Sequence, residues 1–376
     1  MSQAWTVRMQ ARPGLRLSLT RRGWALFLSA LFLAATAPVV EALQSGDFIY
    51  TTDGIAITIT GYTGSGGELS IPDTIDGLTV TGIGEQAFES CSGLTRVTIP
   101  DSVTTIGDWA FYDCDWLTSV TLGNGVTRIG PSAFQDCFSL AGVTMGTGVT
   151  NIGSSAFQSC TALTSVRIPD SVISIGGYAF KNCSGLTGLA IGNGVTSIGD
   201  VAFGFCSGLA RVTIPDSVTV IGKRVFEGCT GLISVTIPGS VTNVDLDVFK
   251  LCRRLARVFF KGNAPSVDAN IFLDANQTTV YYLPRTTGWA AAMGGRPTVL
   301  WNAQVQAGGS FGMRAGQFGF SISGTSNLVI VVEACTSLAH SVWCPVGTNT
   351  LTGGTSAFSD PQAVNHSARF YRIQAP

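Results

Sequence analysis

The stretch CSGLTRVTIPDSVTTIGDWAF, from Cys91 to Phe111, decides the fold because close copies of it follow one another along the chain. Cysteine recurs every 23 residues, with a phenylalanine three residues before it and a leucine three residues after it. A fixed period of about 20 to 50 residues indicates stacked repeats, because no single unit can bury its own apolar face. The cysteines are Cys91, Cys114, Cys137, Cys160, Cys183, Cys206, Cys229 and Cys252.

Each unit begins with a strand. Val97 and Ile99 alternate with polar residues, which predicts a strand with one buried face. Pro100 and Asp101 then predict a turn.

The second half of the unit returns to the start of the next one. Val103 and Ile106 predict a second short segment that faces inward. We expect glycine at position 107 because the backbone there has an unusual dihedral angle or closely approaches another backbone, and glycine has no Cβ to prevent either. The segment from Asp108 to Cys114 is long enough for one helical turn, with Asp108 as its N-cap. The predicted fold is a β-rich solenoid of 23-residue leucine-rich repeats with short helical turns on one side.

Both ends of the repeat array depart from the pattern, as capping units should. We predict capping strands and a first partial repeat over residues 47–90, and the solenoid over residues 91–301. Its ninth coil is degenerate, because Phe272 keeps the phenylalanine position whereas Ala275 replaces the cysteine. Such caps protect the open strand edges from aggregation.

The pattern L-x-x-V-x-I-P-x-x-V-x-x-I-G-x-x-A-F-x-x-C resembles the BspA-like class of bacterial leucine-rich repeats over about residues 69–284. The resemblance implies a curved or gently twisted solenoid that is exported or lies on the cell surface. It also implies protein–protein or adhesive contact without catalysis. Members of the class differ in their ligands, so the resemblance does not identify a partner.

The N-terminus predicts export. An apolar run from Trp24 to Ala37 follows Arg12, Arg16, Arg21 and Arg22. Its length suits a signal peptide and is too short to span a bilayer. Cleavage after Ala42, which would make residues 1–42 the signal peptide, is favoured over cleavage after Ala37. The alternative is an uncleaved anchor, which would be the chain's only contact with a membrane.

Composition excludes some classes of partner. The chain of 376 residues has 22 Lys and Arg against 23 Asp and Glu, and only 12% of its residues are charged. A nucleic-acid binder needs a basic face, so we expect no nucleic-acid partner.

Two residue columns on the predicted strands face outward and form the candidate ligand surface. Phe259 and Tyr282 are predicted to be stacked neighbours beside Arg257, a composition typical of binding hot spots. The alternative is that these aromatic residues pack beneath the module that follows. The full set of candidate surface residues is Arg96, Arg167, Arg211, Arg257, Phe259 and Tyr282.

The cysteines allow two interpretations. Stacked cysteines on neighbouring coils lie close enough for disulfides, yet a column of identical inward side chains also suits small buried hydrophobes. We favour eight reduced, buried thiols. Outside the repeats, Cys335 and Cys344 flank a predicted turn, and a disulfide between them is left open.

No pattern indicates chemistry. The sequence has only His340 and His366, and it has no Cys-x-x-Cys, H-E-x-x-H or phosphate loop. We therefore predict no catalytic residues, no metal site and no cofactor.

A second module follows a polar linker at residues 302–310. Alternating apolar residues over 311–376 predict a small β-sandwich-like module. Trp343 and Tyr371 either bind glycan or form the core of this module, and the core role is favoured.

These observations give three hypotheses for function. The first is an exported, non-catalytic binding or adhesion protein, with an unknown protein ligand favoured over a glycan. The second is a structural component of the cell envelope, docked through the C-terminal module. An enzyme is the remote third.

Overall fold

The structure is a computed structural model that describes residues 42–306, 311–314, 316–339 and 342–374. The predicted signal peptide, except for Ala42, lies outside the described residues, as do His340 and residues 307–310 of the predicted linker. Within the described part, no helix is long and apolar enough to cross a membrane.

Six strands form the N-terminal end of the solenoid. They are β1 (Leu43–Ser45), β2 (Phe48–Thr52), β3 (Ala56–Tyr62), β4 (Gly67–Ser70), β5 (Thr74–Ile75) and β6 (Leu78–Ile83). β2 pairs antiparallel with β1 and β3, and β5 pairs antiparallel with β6. β3 and β6 run parallel, which is the direction that the repeats continue.

Each repeat contributes a long strand and then a short strand. In chain order they are β7 (Leu94–Ile99), β8 (Thr105–Ile106), β9 (Ser119–Leu122), β10 (Arg128–Ile129), β11 (Gly142–Thr144), β12 (Asn151–Ile152), β13 (Ser165–Arg167), β14 (Ser174–Ile175), β15 (Gly188–Ala190), β16 (Ser197–Ile198), β17 (Arg211–Thr213), β18 (Val220–Ile221), β19 (Ser234–Ile237), β20 (Asn243–Val244), β21 (Arg257–Phe260), β22 (Ser266–Val267) and β23 (Thr279–Tyr282).

Long strands pair in parallel with the long strand of the next coil, and short strands pair in parallel with the next short strand. Val97 therefore lies beside Val120, and Ile106 lies beside Ile129. The long-strand sheet starts from β4 and the short-strand sheet continues from β6. Among the described strands, no pairing joins β15 to β17 or β18 to β20, so each sheet is interrupted once. The predicted solenoid of 23-residue repeats is confirmed.

A single file of phenylalanine rings runs through the core. Nine rings, one from each coil, are fully or almost fully buried and nearly parallel to one another. Neighbouring centroids lie between 4.7 and 5.9 Å apart, close to the spacing of strands in a sheet. The rings are Phe88, Phe111, Phe134, Phe157, Phe180, Phe203, Phe226, Phe249 and Phe272.

The segments that carry these phenylalanines are not helical, contrary to expectation. From Trp109 onward, alternate amides donate to the next coil, as when Phe111 N donates to the Ala133 carbonyl over 2.7 Å. The amides between them close tight turns within the coil, and Asp108 caps no helix. The described part contains only two short 3₁₀ helices, both in the C-terminal module.

This alternation requires left-handed backbone at two positions of each cysteine-containing repeat. One position lies five residues before the cysteine, and the other is the residue directly before it. In one repeat these are Tyr178 at φ 60° and Asn182 at φ 61°. Gly107 has no such angle. It meets the other expectation, because a Cβ there would lie 2.5 Å from the backbone of Gly84 in the coil beneath.

The last coil leads into the C-terminal cap and module. The remaining strands are β24 (Ala292–Met293), β25 (Arg296–Leu300), β26 (Gln304–Gln306), β27 (Gly312–Arg314), β28 (Gln317–Ser323), β29 (Val329–Cys335), β30 (Cys344–Thr350), β31 (Thr355–Asp360) and β32 (Phe370–Gln374). The 3₁₀ helices are Thr352–Gly354 and Pro361–Asn365. β25 pairs in parallel with β23, and β24 pairs antiparallel with β25 at the end of the long-strand sheet.

The module is the predicted β-sandwich. One sheet contains β26, β27, β28 and β31, and the other contains β29, β30 and β32. Phe320 and Ile322 of the first sheet pack against Ile330 and Val332 of the second. β26 lies within the segment predicted as a linker and pairs with β28.

The stacked phenylalanine rings predict that removing one ring lowers stability strongly. We expect Phe180→Ala to lower the free energy of unfolding by about 3–5 kcal/mol, since it leaves a cavity between two rings. Phe138→Ala is the matched control, because Phe138 is exposed and lies outside the file. Denaturant unfolding followed by circular dichroism measures both variants. Equal losses in the two would contradict the packed file.

The left-handed positions predict a second, backbone effect. Asn182→Val places a β-branched residue at positive φ and should lower the free energy of unfolding by about 1–2 kcal/mol. Asn182→Gly, which tolerates the same angle, should change it much less. The same unfolding measurement distinguishes the two. Comparable values for valine and glycine would show that the backbone there is not left-handed.

Candidate functional site

The outward face of the long-strand sheet carries the predicted arginines, but it does not bring them together. Arg96 and Arg167 lie on separate coils near the N-terminal end and middle, and the guanidinium of Arg96 pairs with the Glu68 carboxylate at 3.4 Å. Arg211 and Arg257 share one column, with only Ser234 between them. The structure thus groups two of the four arginines.

The predicted neighbours Phe259 and Tyr282 do not stack, which corrects the sequence-based expectation. Phe259 lies beside Tyr281, and Tyr282 lies beside Phe260, because the coil between β21 and β23 has one residue fewer than the repeat. The rings of Phe259 and Tyr281 stack with centroids 5.0 Å apart. Tyr282 stacks instead on Trp289 at 4.9 Å.

Part of this aromatic surface packs against the C-terminal module. Phe259 is only 5% exposed and stacks on Tyr281. Tyr281, Val299 and Trp301 pack against the apolar core of the module. The module therefore sits on the outward strand face of the last coils.

A groove of about 380 Å³ lies where the module meets this face. The long strands of the last four coils supply most of its lining, including Thr213, Thr236 and the stacked pair Phe259 and Tyr281. The module supplies Ile373 and Gln374, which belong to strand β32. The groove has an aromatic floor and walls from two structural units.

The charges around the groove are positive. Arg211 lines it, is exposed, and has no ion pair among the described residues. Lys261 also lines it, and its ammonium contacts the Asp216 carboxylate at 2.9 Å across the intervening coil. Burial raises the pKa of Tyr281, with the charge of nearby Arg257 opposing this shift. Tyr281 is therefore a neutral phenol at physiological pH.

A second groove of about 610 Å³ lies farther along the same face. It forms where β11 and β13 separate after their single paired position, and it is lined by Met145, Arg167 and Asp170 among others. Its lining contains no aromatic side chain, and Asp170 sets a negative charge near the arginine. The first groove is the stronger candidate for binding.

The repeat region matches a known family of proteins. The model of the BspA type leucine rich repeat region matches residues 67–187 and 174–287, which is more than half of the chain. The chain belongs to the BspA-type leucine-rich repeat family. No curated protein sequence matches it.

Several solved structures resemble this BspA-type repeat protein. A leucine rich cell surface protein from Faecalibacterium prausnitzii A2-165 is 26% identical with a TM-score of 0.50, and the match covers 66% of this chain and 77% of that one. The T. pallidum leucine rich repeat protein is 26% identical with a TM-score of 0.37, covering 63% and 91%. A leucine-rich repeat protein from Bacteroides ovatus is 20% identical with a TM-score of 0.35, covering 64% and 85%.

The cysteines of the BspA-type repeats are free thiols, and seven of the eight are fully buried. Each buried Sγ lies 3.0 to 3.2 Å from the carbonyl of the phenylalanine 26 residues earlier, as Cys183 does with Phe157. Burial raises the pKa of Cys183 and of Cys229 to about 12. Cys91, in the first repeat, is partly buried, and burial raises its pKa to about 11. These thiols are structural.

The C-terminal module keeps its cysteines apart. Cys344 lies opposite Ala334 across the ladder, so it leaves the sheet on the other face from Cys335, and both are free thiols. The disulfide left open by the sequence is not formed in this structure.

The two aromatic residues considered for glycan binding in the module differ in their contacts. Tyr371 stacks on Phe318 at 4.7 Å, next to the core, which is the favoured role. The Trp343 ring contacts the Arg372 guanidinium at 4.5 Å.

Sequence reasoning missed the exposed aromatic residues on the turns of the repeats, of which Trp116 and Phe138 are the most exposed. Trp116 is 66% exposed and Phe138 is 46% exposed. Both stand in columns where other coils carry small or polar residues, for example Gly93 for Trp116 and Ser92 for Phe138. Comparing the residues at each equivalent position of the repeats, and noting the one that differs from the rest, would have found them.

The buried thiols predict differential reactivity and a pH effect. At pH 8, iodoacetamide should alkylate exposed Cys344 in the native protein and leave Cys183 and Cys229 unmodified until the chain unfolds. Their pKa is raised from 9.0 to about 12 only in the folded state, which therefore holds protons that the unfolded state releases. These thiols should leave the free energy of unfolding unchanged below pH 9 and should lower it between pH 9 and 12.

Mass spectrometry of native and urea-unfolded samples measures which cysteines are alkylated. Denaturant unfolding at pH 8 and pH 11 measures the free energy of unfolding. Native labelling of Cys183 as fast as that of Cys344 would refute the buried column.

Proposed function

We propose that this protein is exported and binds a protein partner, without catalysis, in the groove between the long-strand face of the last coils and the C-terminal module. The observation that carries this proposal is the composition of the groove. Its floor is the stacked pair Phe259 and Tyr281, and exposed Arg211 lies beside them. Aromatic and arginine side chains supply most of the binding energy at protein interfaces.

The chemistry of the groove supports binding over catalysis. Its lining residues include no His, Cys, Asp or Glu side chain. General acid–base catalysis most often uses such a group, held near the substrate with a pKa close to the working pH. Of the other groups that can serve, Lys261 is paired with the Asp216 carboxylate, and burial raises the pKa of Tyr281. A repeat-based interaction role is also what the family indicates.

Two observations support a location outside the cytoplasm, either secreted or at the cell surface. Arg21 and Arg22 precede the apolar run Trp24 to Ala37, the order found in signal peptides. The similar structure from F. prausnitzii is that of a leucine rich cell surface protein.

The groove can be blocked without disturbing the core. Thr213 and Thr121 occupy the same outward column and both are exposed, but only Thr213 lines the groove. We expect Thr213→Trp to abolish capture of a partner from cell-surface protein extracts. Thr121→Trp is the matched control and should capture the partner as the unsubstituted protein does.

Affinity capture followed by mass spectrometry identifies the partner, and a glycan array probed with the same proteins tests a sugar ligand. Equal capture by both variants would place binding elsewhere. Array binding that only Thr213→Trp removes would show that the ligand is a glycan.

A further inference from the structure

We infer that the groove takes an extended peptide segment, which adds as a strand to β32 and carries an acidic side chain that pairs with Arg211. This inference rests on the proposed function and specifies the class of its ligand. Three features of the groove lead to it: an unpaired strand edge, an excess of positive charge and an aromatic floor.

The first feature is the edge of β32. This strand pairs with β29 on one side only among the described strands, and two of its residues, Ile373 and Gln374, line the groove. An edge strand presents a row of backbone donors and acceptors that another extended chain can satisfy. A peptide backbone matches this row, whereas a sugar does not, so the edge selects a peptide.

The second feature is charge. The groove lining holds Arg211 and Lys261 but no carboxylate, and Lys261 is already engaged by Asp216. Arg211 is left as the exposed cation without an ion pair among the described residues, and Arg257 stands two coils farther along its column. An acidic side chain in the groove would therefore meet Arg211.

The charge of the whole rod favours the same end. Residues 42–210 contain 4 Lys and Arg against 14 Asp and Glu, whereas residues 211–301 contain 10 against 6. The net charge is negative over the first stretch and positive over the second, and each stretch is longer than one Debye length of about 8 Å. An acidic segment is therefore repelled by the first stretch and attracted to the second, where the groove lies.

The third feature is the stacked pair Phe259 and Tyr281. Side chains of an extended peptide alternate between two faces. Those that face the floor meet aromatic rings, so apolar residues flanking the acidic one fit the groove.

The test uses three synthetic peptides with the full-length protein: acetyl-TVTVEVTV-amide and its variants with glutamine or lysine in place of glutamate. Fluorescence anisotropy of labelled peptides gives the affinities, and hydrogen exchange gives the protection of the β32 amides. We expect the glutamate peptide to bind about tenfold more tightly than the lysine peptide and to protect β32. Arg211→Glu should reverse this preference, and the control Arg96→Glu should leave it unchanged.

Several outcomes would overturn the inference: equal binding of the glutamate and lysine peptides, an unchanged preference in Arg211→Glu, or binding without protection of β32. Failure of all three peptides to bind would also overturn it. If Thr213→Trp still abolished partner capture in that case, the groove would remain the binding site and only its ligand class would be wrong. Failure of the groove as the binding site would appear separately, as equal capture by Thr213→Trp and Thr121→Trp.

Discussion

The structure depends on one constraint, that each coil lies directly on the previous one with an offset of one repeat. With this offset each phenylalanine ring stacks on its counterpart, and each buried cysteine lies against the phenylalanine carbonyl of the preceding coil. The same offset lets alternate amides of the turn segments donate to the next coil, which forces left-handed backbone at two positions per repeat. Core, thiols and backbone therefore share one cause.

The candidate site arises where this regularity ends. The coil between β21 and β23 is one residue short, so Phe259 meets Tyr281, and the strand column changes from threonine to aromatic residues. The C-terminal module packs against Tyr281 and leaves a groove beside it. A regular array offers the same surface on every coil, whereas its irregular end offers a distinct one. Binding at this end is consistent with the positive charge of the last coils.

The sequence was sufficient for the solenoid and insufficient for the site. The 23-residue period places Phe180 and Cys183 in buried columns, because stacking is the only way to bury identical faces. The turn segments were wrongly expected to be helical, since seven residues suit either a helical turn or alternating bonds to the next coil. The pairing of Phe259 was wrong because the period was carried past the point where one residue is missing. The packing of the module on Tyr281 is a tertiary contact that no local pattern encodes.

A crystal structure of the protein, at a resolution that fixes side chains, would show directly whether the coils stack in this way. We expect consecutive phenylalanine rings, such as Phe157 and Phe180, to lie parallel in a single row with centroids about 5 Å apart. A different offset between coils would separate these rings or expose them to solvent. Rings found scattered or exposed in that way would contradict the stacking on which the whole structure depends.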